Sequence, residues 1–499
     1  MVRRTLTLAA GLVAAASAVP AFAQGSGRSV RAVTTPQGTF LVESKSSASR
    51  PAGHPMDAIL WTDHEAISIP QSCGLSPFTN SAWVGEALNT ERLQRFTLTG
   101  NGVAAGEYPG THATFNPAGV ATAQNADLTV FLDQIAYQGT FKLLAFRSTD
   151  LTTPLWNAGP PASYTYSGVR NIKVSRDGSV VAAAFWDNTA MNSIVYFFNG
   201  NTGAEISHWT GPDYIGGVDL TDNGGLALMQ ATQYGRLVNT QTGQEVFSTS
   251  GSGAGGWYNI SGDGSVLVIG GFSFQVFKLT GAAYLPVINF SAPTSWFSWG
   301  SAVSRDGTTV GALSHDYGSN YLNTSVRIWD VASATLINTV NTTGTGTLQD
   351  SAVYGAMSDN GQVFAVASWG AQDNNHPEVR VFDRNVNLIE SIDTPGSPFS
   401  LDVSGDGQYI LAGSKAVHAN TFGNGGQVDL LKHVIATGCY ANCDNSSVPP
   451  VLNVNDFQCF VNLYAAQDSR ANCDNSTADP VLNVNDFQCF VNKFAAGCT

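Results

Sequence analysis

The chain has 499 residues, 52 of them glycine, with only 12 % charged side chains and a formal net charge of −14. That balance excludes nucleic acid and anionic membrane as natural partners, since both would be repelled. The length exceeds what one undivided core supports, and abundant Gly, Ser, Thr and aromatics point to short strands and tight turns in a repeating fold.

At the start, Arg3 and Arg4 precede an apolar, alanine-rich run from Leu6 to Val19 that ends at Ala21-Phe22-Ala23 before Gln24. This order of charged, greasy and small residues is that of a cleavable signal peptide, so residues 1–23 read as an export signal and the protein as secreted. The run is shorter than the roughly 20 apolar residues a spanning helix needs, and no transmembrane segment is expected after cleavage. Residues 24–55, rich in Ser, Gly and Pro, read as a flexible leader.

A turn signal then recurs: Ser175-Arg176-Asp177-Gly178, Thr221-Asp222-Asn223-Gly224, Ser261-Gly262-Asp263-Gly264, Ser304-Arg305-Asp306-Gly307, Ser358-Asp359-Asn360-Gly361 and Ser404-Gly405-Asp406-Gly407. The period is about 46 residues, within the range of four-stranded propeller blades. Weaker copies at Thr79-Asn80 and Asn125-Ala126-Asp127 precede them. Asp-Gly and Asn-Gly tolerate the positive φ of a tight hairpin, and each is followed by a short apolar run that reads as a buried central strand. A third strand follows, clearest at Val326-Arg327-Ile328-Trp329-Asp330 and again at Val379-Arg380-Val381-Phe382-Asp383.

On these residues, 56–437 resembles the WD-repeat and quinoprotein-like β-propellers. The resemblance implies an all-β propeller, with eight blades favoured over seven because eight third strands can be counted. Only one blade ends in Trp-Asp, and the usual Gly-His pair is missing. Ala58-Ile59-Leu60-Trp61 is expected to supply the outer strand that the last blade lacks, closing the ring.

With the Asp-Gly turns on one rim, the opposite rim gathers the loops between second and third strands. Those loops carry Trp186, Asp187, His315, Asp316, Tyr317, Trp369, Asp373, His376 and His418, with Tyr214, Trp257, Tyr258, Trp296 and Trp299 nearby. An aromatic and acidic rim around a channel mouth suits a glycan, peptide or small molecule. Each residue alone also fits a structural role, since Trp and Tyr beside a first strand commonly pack between blades. Cys73, alone in the propeller, reads as a buried thiol.

The tail, 438–499, changes character. Asn442 to Asn462 recurs 30 residues later as Asn472 to Asn492, each copy a polar loop running into Phe457, Phe460, Val461 and Tyr464, or Phe487, Phe490, Val491 and Phe494, at helical spacing. A polar loop closing on a carboxylate at a helix start holds calcium in EF-hands. The tail resembles the duplicated loop-helix of dockerins. That resemblance implies calcium ligands Asn442, Asp444, Ser446, Asn453 and Asp456 in the first copy, and Asn472, Asp474, Ser476, Asn483 and Asp486 in the second. Each loop runs 15 residues from first Asn to closing Asp rather than the usual 12, with only two carboxylates.

Six cysteines sit in this module: Cys439, Cys443, Cys459, Cys473, Cys489 and Cys498. An even set in an exported module reads as disulfides, with Cys439 and Cys498 clasping its ends and the other four paired within or across copies. No paired carboxylates, Ser-His-Asp order or cofactor motif stands out in the propeller. The expected function is therefore a non-enzymatic recognition or scaffold propeller, tethered through its tail to a cohesin-like or cell-surface protein. The rival reading is a propeller enzyme, a polysaccharide lyase or hydrolase, delivered by the same module.

Overall fold

The computed structural model describes residues 28–35, 38–45, 59–87, 91–110, 119–134, 141–159, 172–187, 189–231, 234–250, 257–344, 352–370, 377–418, 423–433, 440–444, 452–465, 468, 471–474, 476 and 480–496. Eight four-stranded antiparallel sheets form the blades of an all-β propeller. Blade 1 spans Ile69 to Pro109, blade 2 Gly119 to Ala158, blade 3 Ile172 to Gly211 and blade 4 Ile215 to Ser250. Blade 5 spans Tyr258 to Ser291, blade 6 Trp296 to Thr343 and blade 7 Ala352 to Ile392, while blade 8 combines Pro398 to Lys432 with the early strand Ile59–Glu65.

The turn signal works through its side chains as well as its glycine. In blade 3 the Ser175 hydroxyl donates to Asp177 at 2.7 Å and accepts the Val180 N–H at 2.9 Å, while Asp177 accepts the Ser179 N–H at 2.9 Å. Gly178 takes φ +72°. The same three bonds recur at Thr221/Asn223, Ser261/Asp263, Ser304/Asp306, Ser358/Asn360 and Ser404/Asp406. These turns satisfy their own polar groups, so the strand that follows can be wholly apolar. On the outer side, Asn199, Asn239, Asp330 and Asp383 end their third strands by accepting backbone N–H groups of the next turn. The Trp-Asp of blade 6 is one instance of that cap; its Trp329 stacks on Phe274 of blade 5 at 4.9 Å.

Between blades the core is continuous. Clusters such as Phe185, Leu132 and Val181, or Val268, Val310 and Trp329, each join two neighbouring sheets. The ring closes as expected: Ile59 lies opposite Leu431 and Glu65 opposite Gly426, antiparallel to the last strand. Trp61 on the borrowed strand is buried, stacks on Phe96 of blade 1 at 5.1 Å and donates its indole N–H to the Thr97 carbonyl at 3.2 Å. Beside it Arg92 pairs with Glu86, with Glu65 at 2.6 Å and with Glu107 at 3.1 Å.

Within the leader, Arg28–Thr35 pairs antiparallel with Gly38–Lys45. After the ring come two helices, Val454–Ala465 and Val484–Ala496. Phe460 and Phe490 stack between them at 4.3 Å and 12°, forming a small separate core with Ala441, Ala471 and Cys473. Neither of these helices, nor any other among the described residues, is long and apolar enough to cross a membrane.

Two outcomes follow. Trp61→Ala should destabilise the protein by about 3–5 kcal/mol, the range for emptying a large aromatic site, measured by chemical denaturation. Burial, together with neighbouring carboxylates, raises the Asp63 carboxyl to about 6 and the Glu65 carboxyl to about 7. Folded-state values above the unfolded ones mean this clasp is strongest at low pH and weakens as pH rises from about 4 through 7. Asp63→Asn should therefore flatten the loss of stability between about pH 4 and 6, followed by melting.

Candidate channel site

The first strands of all eight blades wall a central cavity of about 350 Å³. Its two ends differ. At the Asp-Gly end, backbone bonds run from blade to blade: Asn125 N–H to Arg176 O, Asp177 to Asp222, Asp222 to Gly262, Gly262 to Arg305, Asp306 to Asp359 and Asp359 to Gly405, at 2.7–3.1 Å. Side chains reinforce this belt. Arg305 of blade 6 reaches Asp222 of blade 4 at 2.6 and 2.8 Å and also donates to the carbonyls of Ile260 and Leu220. Arg176 of blade 3 pairs with Asp359 of blade 7, on the opposite side of the ring.

The second residue of the repeated turn explains the arrangement. From blade 3 to blade 8 it reads Arg176, Asp222, Gly262, Arg305, Asp359, Gly405. A Cβ at Gly262 would stand 2.3 Å from the Asp222 carboxylate, and one at Gly405 would stand 2.1 Å from the Arg176 guanidinium. Glycine makes room for each Arg–Asp pair. This alternation with a period of three is legible in the sequence as the residue between the Ser or Thr and the Asp or Asn of each turn.

Deeper in, carboxylates staple neighbouring blades. Asp219 accepts the Ile260 N–H at 3.0 Å and meets Lys173 at 3.0 Å; Asp402 accepts the Leu75 N–H at 2.7 Å. Burial opposes ionisation of Asp219, yet Lys173 and Arg305 hold its carboxyl below the usual range. Asp402 is pushed up to about 6 by burial. Burial likewise pushes the Cys73 thiol up, and its Sγ lies toward the Leu411 carbonyl.

The other end is open to additional side chains. In blades 1, 4, 6, 7 and 8 the ladder between first and second strands slips register near its start, at Gln71, Gly216, Trp299, Val353 and Phe399. Such bulges re-aim side chains next to binding sites. Trp257 and Tyr354 meet edge to face at 5.2 Å, and both line the cavity with Gln71, Gln230 and Phe399. Sequence reasoning found Trp257 and Trp299 but not the bulges, which depend on pairing across strands.

The sequence-chosen rim residues lie at this end and divide into separate groups. Trp186 packs on Tyr214 at 5.6 Å, while Asp187 is buried and accepts the N–H groups of Thr189 and Ala190. His315 is buried against Phe297, Trp299 and Tyr321, and burial lowers it to about 4. Asp316 accepts from the Ser295 hydroxyl at 2.6 Å and the Gly318 N–H at 2.9 Å; the exposed Tyr317 begins a short 3-10 turn. Lys415 lies over the rings of Trp369 and Phe399 at 5.9 and 5.5 Å. His418 meets Glu378 at 2.7 Å with both side chains buried. Asp373 and His376 lie outside the described residues.

With this geometry in view, the fold can be placed. It is an eight-bladed β-propeller. The chain is similar to the C-terminal WD40 domain of Sif2, with a TM-score of 0.54 and 15 % identity over 76 % of this chain and 100 % of that one. No protein-family model matches the chain, and no curated protein does so either.

In the tail, the cysteines pair within copies, Cys443 with Cys459 and Cys473 with Cys489. Cys439 and Cys498 lie outside the described residues, as does Ser446. The closing carboxylates are wholly buried: Asp456 accepts the N–H groups of Asn453 at 2.8 Å and Asp444 at 3.2 Å, and Asp486 those of Asn483 at 2.8 Å and Asp474 at 3.3 Å. Asn453 and Asn483 turn their side-chain oxygens to the N–H groups of Asn455 and Asn485, capping the helix starts. Ser476 donates its hydroxyl to the Val481 carbonyl. Among the described residues no three His, Cys, Asp or Glu gather as a metal cluster.

Arg305→Lys should destabilise the protein by about 2 kcal/mol in denaturant titrations, because a single ammonium cannot reproduce the fork that holds blades 4, 5 and 6.

Proposed function

We propose that this chain is an exported recognition propeller that takes a glycan or peptide ligand at the open end of its channel, and that its tail is a calcium-dependent docking module. The observation that carries the first part is the asymmetry of the channel. One end is bolted by Arg–Asp pairs and a backbone belt, whereas the other is lined by Trp257, Tyr354, Phe399 and the amides of Gln71 and Gln230. Aromatic faces with a few polar groups on a rigid frame suit binding without the ordering penalty of a mobile site.

For the tail, calcium fits the residues present. Asn472 keeps a buried side-chain oxygen with no hydrogen-bond partner among the described residues, next to the loop that brings the Asp474 and Asp486 carboxylates within hydrogen-bonding reach of each other. Two facing carboxylates and an amide oxygen form an oxygen set that a hard cation would satisfy. Asn442, Asp444 and Asp456 stand at the matching places in the first copy. A cohesin-like or cell-surface protein is the partner such a module would engage.

The full-length chain should bind components of a glycan and peptide library, and Phe399→Ala or Gln71→Ala should weaken that binding. Shortening of a bound polysaccharide would replace recognition with the lyase or hydrolase reading. Calcium at a hundredfold excess over its dissociation constant should stabilise the tail by about 3 kcal/mol, and Asp486→Ala should remove one site in titration calorimetry. Absence of calcium heat with no shift in melting would leave the tail a disulfide-bonded clasp.

A further inference from the structure

The junction of blades 5 and 6 carries an aromatic group apart from the channel wall. Phe272 meets Phe297 edge to face at 4.9 Å, and Trp299 meets the same ring at 5.7 Å. Phe297 is buried, whereas Phe272 is 51 % and Trp299 38 % exposed, so two open rings flank a buried one. His315 backs them: it is 6 % exposed, lies 6.2 Å from Trp299 at 34° and 6.1 Å from Phe297 at 28°, and its Nδ1 has no hydrogen-bond partner among the described residues. Leaving a buried polar nitrogen without a partner lowers stability.

The backbone here is also unusual. Of the non-glycine residues with positive φ, Ser295 at +74°, Asn320 at +58° and Tyr321 at +64° all belong to this junction. Ser295 donates to Asp316 Oδ1, and Tyr321 packs its ring on His315 at 5.1 Å. Side chains rarely adopt this conformation, so the surrounding contacts hold the loop in one shape beside the rings. Asp316 Oδ2 accepts from the Asn323 amide at 3.4 Å, a long contact for a carboxylate oxygen that has more than one acceptor site. The Ser295 hydroxyl in particular keeps the Asp316 carboxyl below the usual range, so this acceptor is anionic at neutral pH.

We propose that Phe272, Trp299 and Asp316 form a saccharide subsite, in which a neutral sugar chain stacks its apolar ring faces on the two exposed aromatics and donates hydroxyls to the carboxylate. The inference rests on the recognition reading above and narrows its ligand to one class. Three features select neutral sugars. The rings offer flat apolar faces, which match the C–H faces of a pyranose. The charged group is an acceptor, which calls for a ligand rich in O–H donors. The chain's net charge of −14 disfavours acidic polymers.

The test uses the full-length protein in affinity gels and calorimetry against soluble neutral polysaccharides, namely a β-glucan, a xylan, a galactomannan and amylose. At least one should bind, and Phe272→Ala and Trp299→Ala should each weaken it on the order of tenfold, with melting temperatures showing that the exposed substitutions leave the ring folded. Asp316→Asn, which keeps an oxygen for the turn, should weaken binding further while Phe272→Tyr restores it over Phe272→Ala. Unchanged affinity in the Phe272 and Trp299 variants, with loss in Phe399→Ala and Gln71→Ala, would overturn the subsite and leave the recognition reading standing. Binding of a peptide and of none of the four polysaccharides would overturn the ligand class alone. Failure to bind any member of either library would defeat both.

Discussion

Every blade of this ring is stable only because it has a neighbour on each side, and the borrowed strand Ile59–Glu65 is what makes that true of the first and last. Without it, blade 8 would present the unpaired edge of Gly426–Lys432 to solvent, and the apolar face between blades 8 and 1 would be uncovered. The closing strand brings both a ladder and a core residue, since Trp61 packs on Phe96 across the junction. It also brings a burden. Glu65 enters a group of carboxylates served by one guanidinium, Arg92, and the excess negative charge is tolerated partly through retained protons.

Closure in turn fixes the channel. Eight first strands held at constant spacing allow Arg305 to span two blades and Arg176 to reach across the ring, each into room left by a glycine. The bolted end holds the blades in place around the channel, and the register slips of the ladder lie at the opposite end. The Asp219 and Asp402 staples serve the same purpose within the wall: each spends its carboxylate on a neighbouring blade's backbone.

The tail follows a different logic. Its two copies bury one stacked phenylalanine pair, a core too small to hold a fold without crosslinks. The disulfides Cys443–Cys459 and Cys473–Cys489 tie each loop to its own helix, which sets the closing Asp of each copy under its loop. Asn453 and Asn483 serve as helix caps, their side-chain oxygens taking the N–H groups of Asn455 and Asn485.

Much of this was present in the chain itself. The Ser-x-Asp-Gly period marked the repeat, because each signal satisfies its turn locally and needs no partner from elsewhere, and the eight countable third strands gave the blade number. The short apolar runs determined the central strands, and the near-identity of the two tail copies determined a paired loop-helix. The strand exchange was also legible, since the last blade lacks an outer strand and the early segment Ala58-Ile59-Leu60-Trp61 could supply it. Tertiary structure alone decided the rest. Which strand slips register depends on the pairing of two distant segments, so the bulges at Trp299 and Phe399 leave no local mark. Whether a rim residue faces ligand or core depends on its neighbours: Asp187 and His315, alike in the sequence as polar groups on a loop, are buried for different reasons, one satisfying a turn and the other backing a shelf of rings. The pairing of cysteines within copies was open for the same reason, because equal spacing permits several connectivities and only the packing of the two helices brings particular sulfurs together.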